Sequence, residues 1–251
     1  MVARTLLILS ALVAALGGLS TAQAKVTLYN GALGTAPDAQ GWTFGTLAFG
    51  FPAPTQSVSG GIGGSVFLDT RPNNPIQSGY SRVDQVFNSN AGVELSFSAQ
   101  VLSESHANLN RAGFSVIMLD SAHRGIELGF WEDRVFAQNV GFTHGEEVLF
   151  NSKSMLQYRL RLTSAGYNLN VSDGGSLNTS LSGTLHDYSG AGFVYPTPNF
   201  LFMGDDTSSA SAACRIASVS GSPIPEPSQA LLMGAGLVLV LARRSRRRIT
   251  S

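Results

Sequence analysis

The chain of 251 residues has a single cysteine, Cys214. No internal disulfide can form, so a folded body must be held by its core and hydrogen bonds alone. Cys214 lies in Ala212-Ala213-Cys214-Arg215-Ile216, where alternation puts it on the face of Ile216 and predicts a buried small hydrophobe. The other use of a lone thiol is a bridge between chains. Histidine is scarce as well: His106, His123, His144 and His186 all sit in polar, turn-like stretches. A zinc centre wants clustered His, Cys and carboxylates, and His144-Gly145-Glu146-Glu147 reads instead as a charged turn. Gly-x-Ser-x-Gly is absent; Gly61-Ile62-Gly63-Gly64-Ser65 and Ser189-Gly190-Ala191-Gly192 lack its spacing. Also missing, from residue 25 to 222, is any sustained helical period.

Long apolar runs occur only at the two ends. Arg4 precedes an apolar stretch from Leu6 to Leu19, and Ala22-Gln23-Ala24 fits a cleavage site. These parts in order predict a signal peptide over residues 1–24, cut by signal peptidase to leave a chain that begins at Lys25. At the other end Ala230 to Ala242 carries no charge. As a helix it would span about 20 Å, short of a bilayer core of about 30 Å, with arginine stems able to extend it by snorkelling. Arg243, Arg244, Arg246, Arg247 and Arg248 follow, and such a cluster stays on the cytoplasmic side. The pattern predicts a transmembrane helix with the body outside. Pro225-Glu226-Pro227 before it is stiff linker chemistry.

Pro-Glu-Pro, an apolar segment and a terminal arginine cluster resemble the PEP-CTERM sorting signal of Gram-negative bacteria. The resemblance covers about the last twenty-seven residues. It implies that the chain is a substrate of exosortase, a membrane transpeptidase-like enzyme. It further implies a membrane anchor before processing, then a place on the cell surface or outside it, in bacteria that make exopolysaccharide, biofilm or floc.

Residues 25–222 then form the body, with 223–251 as the sorting signal. The formal charge of the whole chain is zero, but one arginine belongs to the signal and five to the tail. The body keeps ten of the sixteen basic residues and fifteen of the sixteen acidic ones, a charge of −5. That excludes nucleic acid as a partner, and excludes adhesion to anionic lipid through a basic face.

Period-two alternation runs through the body. Val93, Leu95, Phe97, Ala99 and Val101 share one face; Tyr158, Leu160 and Leu162 share another, as do Tyr167, Leu169 and Val171. Ile126, Leu128 and Phe130 alternate with Glu127 and Gly129. Phe114 to Leu119 is continuously apolar, as in a strand covered on both faces, and Asn199 to Met203 is similar. Ser164-Ala165-Gly166 closes a hairpin. Strands that each bury one face need a second sheet. The expectation is all-β: a two-sheet antiparallel jelly-roll sandwich of roughly a dozen strands.

The hairpin, the apolar strand at 199–203 and the closing strand at 212–219 resemble, over about residues 90–220, the concanavalin A-like lectin and glucanase jelly roll. "LYNGALGTAPDAQGWTF" and "LFMGDDTSSASA" resemble a choice-of-anchor domain of PEP-CTERM proteins. Laminarinase-type members of the jelly-roll superfamily carry Glu-x-Asp-x-Glu on one strand, which sets carboxylates on one face. Here Glu127 is followed by Gly129, Glu94 by Ser96 and Ser98, and Glu146-Glu147 point to opposite faces. No catalytic residue carries over, and carboxylates drawn from separate strands remain the only route to a hydrolase or lyase.

Two ligand chemistries are open. Calcium could be held by hard oxygens of Asp205, Asp206 and Asp173, although Asp173-Gly174 is also ordinary turn chemistry. No other cofactor is implied. A sugar needs an aromatic platform beside polar groups, and Trp131, with Glu132-Asp133-Arg134, and Trp42 are the candidates. Together these readings describe a non-catalytic exported surface or matrix protein associated with exopolysaccharide. The alternative is a carbohydrate-active enzyme on the same fold.

Overall fold

Alternating apolar residues become strands because burying every second side chain on one face removes the most apolar area from water. The computed structural model describes residues 25–47, 53–71 and 76–223. The signal helix, the transmembrane helix, Pro225-Glu226-Pro227 and the arginine cluster all lie outside the described residues. Among the described residues no helix is long and apolar enough to cross a membrane.

Sixteen strands follow in order: β1 (Val26–Asn30), β2 (Thr43–Leu47), β3 (Thr55–Ser59), β4 (Ser65–Asp69), β5 (Gln77–Arg82), β6 (Val93–His106), β7 (Phe114–Leu119) and β8 (Arg124–Phe130). Then come β9 (Arg134–Gln138), β10 (His144–Leu149), β11 (Leu156–Thr163), β12 (Gly166–Ser172), β13 (Asn178–Gly183), β14 (His186–Asp187), β15 (Leu201–Asp205) and β16 (Ala210–Pro223). This exceeds the dozen expected, because β1, β3 and β14 are short, polar or exposed and leave a faint pattern. All pairings are antiparallel, in two sheets ordered β13-β12-β11-β6-β16-β4-β3 and β10-β9-β8-β7-β15-β5-β2; β1 joins the first on β16, and β14 joins the second on β8.

The sandwich core lies between the sheets. From the first come Leu95, Phe97, Tyr158, Leu160, Leu169 and Ile216; from the second Val116, Leu128, Phe130 and Met203. Phe130 meets Tyr158 edge-on across the core at 5.3 Å, while Tyr158 stacks on Phe97 at 4.8 Å. At one end Thr70 Oγ1 donates to Asp205 Oδ2 at 2.6 Å, joining the sheets by a buried polar contact. Cys214 is buried in the same core and unpaired.

The outer face of the second sheet differs from an ordinary solvated face. Gly45, Gly79, Gly204, Ser115 and Gly129 stand opposite one another across five strands. Beside them runs a second row of Thr43, Ser81, Phe202, Ile117, Glu127 and Gln138. The loop at 188–200 packs on this face through Tyr188, Tyr195 and Phe200, which bury Ile117 and Leu119. This second cover is why β7, apolar but for Ser115, is buried along its whole length.

Candidate functional site

Glycine in a strand leaves the backbone uncovered unless a neighbour fills the gap. In the lane across the second sheet two glycines are filled. A Cβ at Gly79 would strike the Phe202 ring at 2.5 Å, and one at Gly129 would strike Phe136 at 2.5 Å. At Gly45, on the edge strand β2, a Cβ would meet nothing within 4 Å. There the lane opens into a cleft of about 640 Å³. Its floor is Gly45, Gly79, Ser81 and Phe202. One wall is the 188–200 loop, with Phe193, Val194 and Tyr195; the other is the turn after β15, from Asp206 to Ser209. Phe193 is 95% exposed and sits at φ 52°, a left-handed conformation costly for a bulky residue.

One end of the cleft is a charged cluster built from four separate segments. Arg111, from the turn between β6 and β7, donates Nη2 to Asp206 Oδ2 at 2.7 Å and places Nη1 3.7 Å from Glu127 Oε1. Tyr195 Oη lies 2.5 Å from Glu127 Oε2 and 3.2 Å from Asp206 Oδ2, so one hydroxyl serves two carboxyls. Arg111 also stacks over the Phe142 ring at 4.8 Å. Glu127 is fully buried in the middle of β8. Burial, with the adjacent Asp206 charge, holds its carboxyl well above the usual range and more than offsets the pull of Arg111. Among the described residues Glu127 Oε1 and Asp206 Oδ1 have no hydrogen-bond partner. Burial works against the Arg111 charge, yet Asp206 and Glu127 raise its pKa overall. Burial and then the two carboxyls likewise push the Tyr195 phenol up, so it stays a donor.

The structure thus brings together carboxyls that no spacing in the sequence joins. Glu127 has no same-strand partner, as read, but it has Asp206 from the turn after β15. The residues missed were Arg111 and Tyr195. A usable signal existed in "IELGF", where a lone glutamate sits in a strand buried along nearly its whole length.

The other candidates fall elsewhere. Trp131 is 7% exposed; its Nε1 donates to the Arg111 carbonyl at 3.0 Å, His106 stacks on it at 4.1 Å and Arg134 lies 5.3 Å over it. Trp42 is 5% exposed and donates to the Leu28 carbonyl at 2.8 Å. Neither ring offers the open face that a sugar platform needs, because each is packed between sheet and loop. The expectation of turn-like histidines fails for three of the four, since His106 ends β6, His144 begins β10 and His186 lies in β14. His106 pairs with Glu104 at 2.8 Å beneath Trp131, and His144 stacks on Phe136 at 4.0 Å.

The calcium candidates have protein partners. Asp205 is buried and held by Thr70 and the Thr207 N–H. Asp206 pairs with Arg111, and Asp173 caps its own turn by accepting from the Gly175 and Leu177 N–H groups. Among the described residues no three His, Cys, Asp or Glu side chains converge as a metal set would.

No family model matches the chain, and no curated relative does. Solved structures do. A carbohydrate esterase from the Shiga toxin-encoding bacteriophage phi24B is similar with a TM-score of 0.54 at 14% identity, over 80% of this chain and 99% of that one. A lectin from Bauhinia forficata in complex with GalNAc gives 0.45 at 11% identity, over 81% and 99%. Lectin I-B4 from Griffonia simplicifolia gives 0.46 at 9% identity, over 79% and 98%. At such identities the likeness is one of fold alone: the body is a two-sheet antiparallel sandwich of the kind on which the phage esterase is built.

Proposed function

We propose that this is an exported, non-catalytic surface or matrix protein whose cleft on the outer face of the second sheet binds carbohydrate. The observation that carries the reading is the cleft itself. An exposed aromatic, Phe193, lines a glycine-floored channel together with the hydroxyls of Ser81, Ser208 and Ser209 and the amide of Gln77. Sugars are held in this way, by ring stacking on one face and hydrogen bonds at the edges. Sorting by exosortase and association with exopolysaccharide rest on Pro225-Glu226-Pro227 and the five tail arginines. The fold is one that a phage carbohydrate esterase also uses, which is compatible with the reading and assigns no residue.

A glycan array and the host's own exopolysaccharide, probed with the purified protein and with Phe193→Ala, test it. Saturable binding by the parent, lost in the variant, supports the cleft. Absence of binding to every glycan overturns it.

A second reading, a carbohydrate-active enzyme, is favoured by the meeting of Glu127 and Asp206. Against it, glycosidases hold two carboxylates about 5–10 Å apart across the substrate. Here both lean on one tyrosine hydroxyl and Glu127 is sealed from solvent. Release of reducing ends from a bound glycan, abolished by Asp206→Asn, would establish the enzyme in place of the binder.

A further inference from the structure

Among the described residues that line the cleft, Arg111 is the only basic side chain, and it pairs with Asp206. That guanidinium is already engaged: Asp206 at Nη2, Glu127 toward Nη1, and the Phe142 ring over it. Asp205 is buried behind Thr70 and Thr207. A carboxylate or sulfate entering the cleft would lose water, meet Asp206 and gain no counter-charge, which is costly. What remains free to meet a ligand is neutral: the hydroxyls of Thr46, Ser81 and Ser208, the Gln77 amide oxygen and the Phe193 ring.

Resting on the reading of this cleft as a glycan site, we infer that it selects uncharged sugars, and that Asp206 sets this selectivity by neutralising Arg111. Asp206 is a specificity residue that acts through Arg111. Its side chain is nine-tenths buried, and so is that of Arg111 to within a few per cent, so solvent screens the pair weakly. Glu127 is the weaker partner, 3.7 Å from Nη1 against 2.7 Å for Asp206, with its carboxyl pKa raised by burial. With Asp206 removed, Arg111 becomes a buried guanidinium without its close anion. That is a ready site for a uronate carboxylate, which guanidinium binds in a two-pronged fashion.

The experiment uses calorimetry on the purified protein with neutral gluco-, galacto-, manno- and N-acetylglucosaminyl tetrasaccharides and with tetragalacturonate. The parent is expected to bind at least one neutral tetrasaccharide about ten-fold or more tightly than the uronate. Asp206→Asn is expected to reverse that order, with a uronate affinity that falls as salt rises. The paired variant Arg111→Met with Asp206→Leu keeps the volume without the charges. It is expected to gain no affinity for the uronate. Circular dichroism confirms the fold of each variant, and if Asp206→Asn does not fold, the parent and the paired variant decide. Uronate binding by the parent equal to or tighter than neutral binding overturns the inference while leaving the glycan reading standing. A folded Asp206→Asn protein with no gain for uronate overturns the role of Asp206. Binding of no sugar of either kind overturns both readings together.

Discussion

At the scale of single residues, the buried acids set how stability responds to pH. Glu104 is pushed up to about 7 by burial, with His106 pulling the other way and Glu132 adding to the rise. Glu127 and Asp205 are raised by burial as well. A raised carboxyl binds its proton more tightly in the folded than the unfolded chain, so stability falls as pH climbs from the ordinary carboxylate range through the folded value. Asp84, lowered to about 2 by Arg82, and Asp69, lowered by Arg71, act in the opposite sense and lose their contribution as pH falls below the ordinary range. The melting temperature is therefore expected to peak near about pH 5 and decline toward pH 7.5. Glu104→Gln should flatten part of that decline, and a curve that rises from pH 5 to 7.5 would refute the assignment. Gly45 gives a second residue-scale test. A phenylalanine there projects into open space in the cleft. Gly45→Phe should weaken glycan binding about ten-fold or more with little change in melting temperature.

At the scale of elements, the 188–200 loop is a cover pinned at both ends by backbone hydrogen bonds, from Tyr188 N–H to the His123 carbonyl and from Asn199 N–H to the Asp120 carbonyl, and by side chains between. Tyr188 accepts from the Glu127 N–H and donates to the Gln138 carbonyl, and Asn199 accepts from the Phe87 N–H. Tyr195 reaches the charged cluster. Tyr195→Phe removes the shared donor from two carboxyls, at a cost of about 1–3 kcal/mol. Hydrogen exchange should then quicken across 188–200 while β6 and β16 stay protected; unchanged exchange in the loop would show that the hydroxyl does not hold it. Strands with one solvated face were plain in the sequence. β6, β11 and β12 alternate as read, since one side of each meets core and the other water. β7 reads as covered on both faces, and it is; β8 alternates through Glu127 and Gly129 as a one-faced strand would, yet that face is buried too. The cleft was hidden as well. Its polar end comes from residues 111, 127, 195 and 206, which only the folding of four segments brings together. The glycines left a trace: Gly45, Gly79, Gly129 and Gly204 each interrupt a strand, a position where glycine signals close approach.

At the scale of the whole molecule, one core and no disulfide carry the fold. Leu160, fully buried at its centre, should cost about 2–5 kcal/mol when replaced by alanine. For a body of this size that lowers the melting temperature by about 2–4 °C per kcal/mol. Reductant should leave the melting temperature of the parent unchanged, since Cys214 is buried and unpaired; a drop on reduction would reveal a bridge between chains.

One feature of the frame also bears on force. β16 begins at Ala210, just after the Thr207–Ser209 wall of the cleft, and ends at Pro223, where the body hands the chain on. At about 3.4 Å per residue it is a strut more than 40 Å long. It is paired with β6 from Ala210 opposite His106 to Pro223 opposite Val93, and flanked over parts of its length by β4 and β1. A load between a ligand seated at the cleft and the chain leaving at Pro223 runs along this strand. The covalent backbone of that one strand then carries the tension, and pairing to β6 along its length keeps it extended.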